Sequence, residues 1–222
     1  MAKSGRLWLE LLGSEKDFEK VVESFVEEAF SVAVDNSILL IKRDLKGLIY
    51  SSIYSCPELE ELKGGILRGE LGLTSRNAAK AAEDIAEAVS ESIVIENKKA
   101  SLKEKSGGLN IYVQPSNFVN VLGISNSIIQ YRSKTKGRVT LEWLNWLLKE
   151  GDKIIVGNFG FEKITGRGRS SLGSMKKGGS WRISPQHAGT EDDNFITRAL
   201  GNKASQTNMA NIIQKAIEKN WK

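Results

Sequence analysis

The chain has 222 residues, 40% apolar and 27% charged, with a formal net charge of +5, which fits a globular protein of one large or two small domains. A single cysteine, Cys56, and a single histidine, His187, exclude an intrachain disulfide framework, a multi-cysteine zinc site and a metal site built on several histidines. The longest apolar runs, such as Ile38–Ile41, fall far short of the roughly 20 residues that span a bilayer, and Met1–Trp8 lacks the apolar stretch of a signal peptide; the expectation is a cytoplasmic protein with no membrane partner.

From Asp17 to Ile53 apolar residues recur at helical spacing: Phe18, Val22, Phe25, Ala29 and Val32, then Ile38, Ile41, Leu45, Leu48 and Ile53. Ser14 with Asp17 reads as a capping box. Asp35-Asn36-Ser37 either breaks the element into two antiparallel core helices or is absorbed into one helix of about 35 to 40 residues, well above the usual length, and a helix that long suggests packing against neighbouring subunits. Pro57 stops this block. Four glycines between Gly64 and Gly72 predict turns and close backbone approach, not a helix interior.

Thr74 or Ser75 then caps a helix through Ala78, Ala82, Ile85 and Val89. Ser92–Glu96 and Leu109–Val113 read as strands of a hairpin, Ser127–Tyr131 as a third strand and Lys153–Phe159 as a fourth. Between the last two, Thr140 caps a helix stopped by Gly151. On it Trp143 and Trp146 share a face, a core arrangement more than a partner anchor. Thr190 with Asp193 makes a capping box for a helix holding Phe195, Ile196, Ala199 and Leu200, and Thr207–Trp221 closes the chain with another. This order predicts an α+β fold: a small antiparallel or mixed sheet flanked by a long N-terminal helix and C-terminal helices, in one domain over residues 1–222.

The segment at residues 160–182 stands apart. Between Lys163 and Arg182 lie six Lys or Arg, five Gly and no acid, a self-repelling composition that reads as an extended, basic, Gly-rich surface arm. Its spacing fails both phosphate-loop templates: Gly168-Arg-Ser-Ser-Leu-Gly173 runs into Ser174-Met175 where Lys and Ser/Thr are needed, and Ser171 takes the place of the third dinucleotide-fingerprint glycine. His187 has no nucleophile-elbow motif beside it and reads as a polar loop residue. Cys56 has nothing nearby to lower its pKa. Acid pairs such as Glu60-Glu61 and Asp192-Asp193 are accounted for by helix starts. No catalytic constellation, metal site or cofactor site emerges, so the expectation is a protein that is not an enzyme and carries no cofactor. Arg132, Lys134, Lys136 and Arg138 alternate, which on an extended segment puts them on one side; with Arg167, Arg169, Lys176, Lys177 and Arg182 they form a candidate phosphate-facing ribbon and arm.

The long N-terminal helix, the segment Leu62-Lys-Gly-Gly-Ile-Leu-Arg-Gly-Glu-Leu-Gly-Leu73 and the ending Trp181-Arg-Ile-Ser-Pro with Ala-Gly-Thr-Glu-Asp-Asp-Asn-Phe-Ile-Thr-Arg-Ala-Leu200 resemble tail-completion and head–tail joining proteins of tailed bacteriophages. Gly65-Ile-Leu-Arg68, Gly189-Thr190, Phe195 and Arg198-Ala199 match that family's Gly-x-Leu-Arg segment, Gly-Thr loop and closing helix, while the family's closing proline is missing at Thr197-Arg198-Ala199. The resemblance implies a structural virion protein, a neck adaptor, tail terminator or tail-completion subunit, that forms a homo-oligomeric ring, sixfold in the family pattern. It implies assembly in the host cytoplasm against a portal or head connector and against tail tube or sheath proteins, with non-specific contact to packaged DNA. On this reading Arg167, Arg169, Lys176, Lys177 and Arg182 belong to an assembly arm anchored by Trp181 and Phe195. The competing expectation is a free-standing, sequence-independent nucleic-acid-binding protein using the same cations.

Overall fold

The computed structural model describes residues 15–104, 106–113, 117–133 and 137–221. Asp35-Asn36-Ser37 does not interrupt the first helix: α1 runs unbroken over Glu15–Tyr54, 40 residues. Tertiary contacts hold the polar triplet in helix. The buried Ser37 Oγ lies 2.6 Å from Ala33 O and 2.9 Å from Ala216 O, and Asp35 accepts from Asn97 Nδ2 at 2.7 Å. Ser14 lies outside the described residues.

The glycine-rich stretch after Pro57 is helical where turns were expected: α2 spans Pro57–Gly64 and α3 Ile66–Glu70. The glycines still act as read, at the joints. Gly65 is extended between the two helices and Gly72 turns with φ 62°. Gly69 sits inside α3 because a Cβ there would lie 2.9 Å from Phe161 Cζ and 3.1 Å from Leu172 Cβ, so close approach outweighs the helix penalty of glycine. Helix α4, Ser75–Glu91, begins at Thr74, whose side chain accepts from Asn77 N–H. Its small buried residues, Ala78, Ala81, Ala82 and Ala86, bring it close against α1.

The strands form three separate antiparallel pairs. β1 (Val94–Ser101) pairs with β2 (Ser106–Tyr112), the expected hairpin. After the short helix α5 (Val119–Leu122), β3 (Ile129–Ser133) pairs with β4 (Gly137–Leu141). Thr140 is thus a strand residue opposite Gln130, not a helix cap, and α6 is confined to Leu144–Leu148. The register also corrects the basic ribbon: the chain reverses after Ser133, which sets Arg138 opposite Arg132 on the partner strand. Lys134, Lys136 and the Arg132 side chain lie outside the described residues. β5 (Val156–Lys163) pairs with β6 (Gly173–Trp181), so the basic segment is extended as one hairpin.

Helices α7 (Phe195–Gly201) and α8 (Lys203–Asn220) complete the chain. The cap of α7 is Asn194, whose side chain accepts from Ile196 and Thr197 N–H while Thr197 Oγ1 accepts from Asn194 N–H. Thr190 and Asp193 are hydrogen-bonded to each other one step earlier and close the preceding turn. One apolar cluster joins the helices: Ile41, Leu45, Ile49 and Ile53 of α1, Leu59 and Leu62 of α2, the α4 alanines, Trp143, Leu147, Trp181 and Phe195. Each fully buried Leu or Ile side chain contributes about 1.5–3 kcal/mol. Trp143 is entirely buried and its Nε1 donates to Asn126 O at 3.1 Å, which places it in the core as expected.

Candidate functional site

The basic segment owes its order to strand pairing and to anchors at both ends. Pairing runs from Val156 opposite Trp181 to Lys163 opposite Gly173. At the tip, Ile164 N–H donates to Leu172 O, Gly166 N–H to Ser171 O and Gly173 N–H to Arg167 O. This compact loop rests on α3 through Phe161 and Leu172, and Arg169 Nε donates to Gly72 O at 2.6 Å. At the base, Trp181 and Ile183 enter the core, and Ile155 N–H donates to Trp181 O. Between the anchors, Met175–Ser180 are exposed on both faces of the strand, as are Gly157–Phe159 opposite them. A two-stranded ribbon is marginal by itself; the two anchors hold this one clear of the body.

The cations expected to act together are distributed along it. Lys176 pairs with Glu162 at 3.1 Å and Arg182 with Asp152 at 2.9 Å, while Arg169 is committed to the Gly72 carbonyl. Arg167 and Lys177 are exposed without a side-chain partner among the described residues. Arg138, on the β3–β4 hairpin, is exposed and donates to Gln130 Oε1. Of the two anchors, Trp181 closes the hairpin base and Phe195 is fully buried at the start of α7.

Two features were not foreseen as interactions. The first is a frame that joins α2, α6 and α7. Arg198 Nε and Nη2 donate to the buried Glu58 Oε1 at 3.1 and 2.8 Å, and Nη1 donates to Asp193 at 2.9 Å. Gly189 N–H donates to Trp146 O and Gly189 O accepts from Gly151 N–H, so the Gly189-Thr190 loop stitches α6 to α7. Several residues that carried the family resemblance thus build one frame, and an Arg placed four residues after Asn194 was the available signal. The second feature is the outer face of α1. Phe18, Val22, Phe25, Val32 and Leu39 form a stripe opposite the face that buries Val34, Ile41 and Leu45, and Phe25 and Leu39 are 71% and 82% exposed. Helical spacing found most of this stripe but could not say that it faces outward.

The titratable groups are arranged for structure. The Cys56 thiol is pushed up to about 12, mainly by burial, the opposite of what activates a nucleophile. The Glu70 carboxyl is raised to about 7, first by burial and then by the charge of Glu61, and its Oε2 has no hydrogen-bond partner. His187 is buried, with Nε2 2.9 Å from Gln186 Nε2 and Nδ1 unpartnered. Among the described residues no group of three or more His, Cys, Asp and Glu is placed to hold a metal ion, and no helix is long and apolar enough to cross a membrane. No protein family, curated protein or solved structure matches the chain.

Proposed function

We propose that this chain is a structural subunit of the neck of a tailed bacteriophage, assembling as a ring at the head–tail junction and bringing no catalysis of its own. The observation that carries the reading is the pair of uncovered surfaces on one chain: the outer stripe of α1 and the doubly anchored hairpin β5–β6. A ring subunit meets two neighbours through two different patches; the hairpin is anchored at both ends, and the stripe lies on a helix that enters the core from Ala33 onward. The family resemblance supports the same reading, since Gly189, Phe195 and Arg198 form the frame from which the closing helix α7 starts. In the ring, Arg138 and Arg167 would give packaged DNA contacts that read no sequence.

The test is a null allele in the phage that encodes the chain, with electron microscopy of the particles and mass spectrometry of purified virions. Separate DNA-filled heads and free tails, with the protein present in wild-type virions in ring stoichiometry, are expected. Tailed, DNA-filled particles from the null allele overturn the proposal. A free-standing nucleic-acid-binding role has less support, because Arg169, Lys176 and Arg182 already have partners within the chain. It predicts tight binding of duplex DNA by the isolated protein, weakening steeply with salt.

A further inference from the structure

The two uncovered surfaces carry opposite charge. Residues 15–35 contain seven acids and two bases, a net of −5, and since the whole chain is +5 the remainder carries +10. From Phe18 to Val32 the charges bordering the α1 stripe are acidic, Glu19 on one edge and Glu28 and Asp35 on the other, while Leu39 is followed one turn later by Lys42 and Arg43. The hairpin is the counterpart. Phe159 stands opposite Lys177 and Phe161 opposite Met175 in register, and cross-strand partners share a face, so one face offers Phe159, Met175 and Lys177, all exposed. The hairpin's one acid, Glu162, lies on the other face and is paired with Lys176.

We infer that the α1 stripe of one copy seats on the Phe159–Met175–Lys177 face of the β5–β6 hairpin of the next copy. The contact is heterologous, so repeating it propagates a ring. Parallel pairing of α1 with a second α1 sets acidic edges against acidic edges around Glu28 and Asp35, and like charges across an interface are repelled. Antiparallel pairing would set those acids against Lys42 and Arg43 of the other copy, and the β1–β2 hairpin exposes Val94 and Tyr112 beside both Glu96 and Lys98; Lys177→Glu tells both seats apart from this one, since neither uses Lys177. Within one chain, α1 packs on α4, α7, α8 and β1, and the hairpin packs on α3 through Phe161, nearer the tip of the same face; the α1 stripe and Phe159, Met175 and Lys177 remain exposed. The inference rests on the ring reading for closure alone; the contact between copies does not require a virion.

Solution mass of the purified full chain, by light scattering and sedimentation from micromolar to millimolar concentration, gives the baseline. Wild type is expected to associate, and the double variant Phe25→Gln/Leu39→Gln, at two of the most exposed stripe positions, to weaken association at least tenfold with an unchanged circular dichroism spectrum and melting temperature. Lys177→Glu is expected to weaken it similarly, and Glu28→Lys in the same chain to restore part of the loss. Mixing a Phe25→Cys chain with a Met175→Cys chain under mild oxidation should yield the mixed disulfide. A wild type that stays monomeric at millimolar concentration, a double variant that associates like wild type, or a prevailing Phe25→Cys homodisulfide overturns the inference. If the protein associates as described but is missing from virions, the neck reading fails and the contact stands. If it is found in the virion neck and the double variant assembles normally, the contact fails and the neck reading stands.

Discussion

Removing the Arg198 side chain isolates the energetic weight of the frame that joins α2 to α7. The Glu58 side chain is 6% exposed and the Arg198 side chain 34%, whereas Asp193 is 72% exposed. Breaking a buried ion pair by deleting one partner destabilises by about 3–5 kcal/mol, because the remaining charge is left without a partner in a poorly solvated site. The one-third exposure of Arg198 admits some water, so Arg198→Ala is expected near the lower end, about 3 kcal/mol. Asp193→Ala, which removes only the solvated arm of the network, should stay below about 1 kcal/mol. For a chain of this length each kcal/mol moves the melting temperature by about 2–4 °C, so Arg198→Ala should melt about 6–12 °C below wild type. Urea unfolding followed by circular dichroism, completed as a double-mutant cycle with Glu58→Gln, measures the coupling directly. The double variant should lose about 2 kcal/mol less than the sum of the singles, since the orphaned carboxylate is gone. Losses that simply add, or an Arg198→Ala deficit under about 1 kcal/mol, would mean that Glu58 does not depend on Arg198 for its charge partner.

Two further predictions use the same thermal assay. A Cβ on Gly189 would lie 2.0 Å from Leu147 O, whereas Gly47, inside α1, has nothing within 4 Å; Gly189→Ala should lose about 3 kcal/mol or more as the stitched loop shifts, while Gly47→Ala gains about 1 kcal/mol from helix propensity. Glu70, held at about 7 in the fold against 4.5 as the ordinary value, favours the protonated folded state, so its contribution is full below about pH 4.5 and is lost as pH rises through about 7; Glu70→Gln should therefore raise the melting temperature at pH 8, by at most about 3 kcal/mol of stability, and change it little at pH 4.5.

The sequence announced elements wherever one periodicity ran without competition. The helical spacing along α1, a cap for α4 at Thr74 or Ser75 and the β1–β2 hairpin were all legible from side-chain spacing and cap chemistry. It misled where a local signal was overruled by a distant contact. Gly69 reads as a helix breaker until Phe161 and Leu172, about a hundred residues later in the chain, occupy the space its side chain would take. Thr140 before a run of Leu and Trp reads as a cap, yet pairing with Gln130 draws it into β4. Asp35-Asn36-Ser37 could be read either way because the contacts that decide it come from Asn97 and Ala216. Nothing in a window of ten or fifteen residues contains those partners.

The surfaces were harder to read than the core for a related reason. Composition marked residues 160–182 as basic and extended, but which cations remain available depends on acids that pairing and turns bring alongside: Glu162 claims Lys176 across the ladder and Asp152 claims Arg182. A count of Lys and Arg therefore overstates the charge offered to a polyanion: Lys163, Arg167, Arg169 and Lys177 are the positions where no acid offsets the charge. On α1 the difficulty runs the other way. Its apolar residues meet the same spacing rule on both faces, so a helix that buries Val34, Ile41 and Leu45 while exposing Phe25 and Leu39 carries no net amphipathic signature to separate core from contact surface. The charge pattern separates them. Acids crowd α1 up to Asp35, the part that carries the uncovered stripe, and the basic residues Lys42, Arg43 and Lys46 follow only beyond Leu39, along the part of the helix that lies over the core. A surface that keeps large apolar side chains in water beside like charges is disfavoured for parallel pairing with itself and remains open to a partner of opposite sign, the basic β5–β6 hairpin of a second copy in the inferred contact.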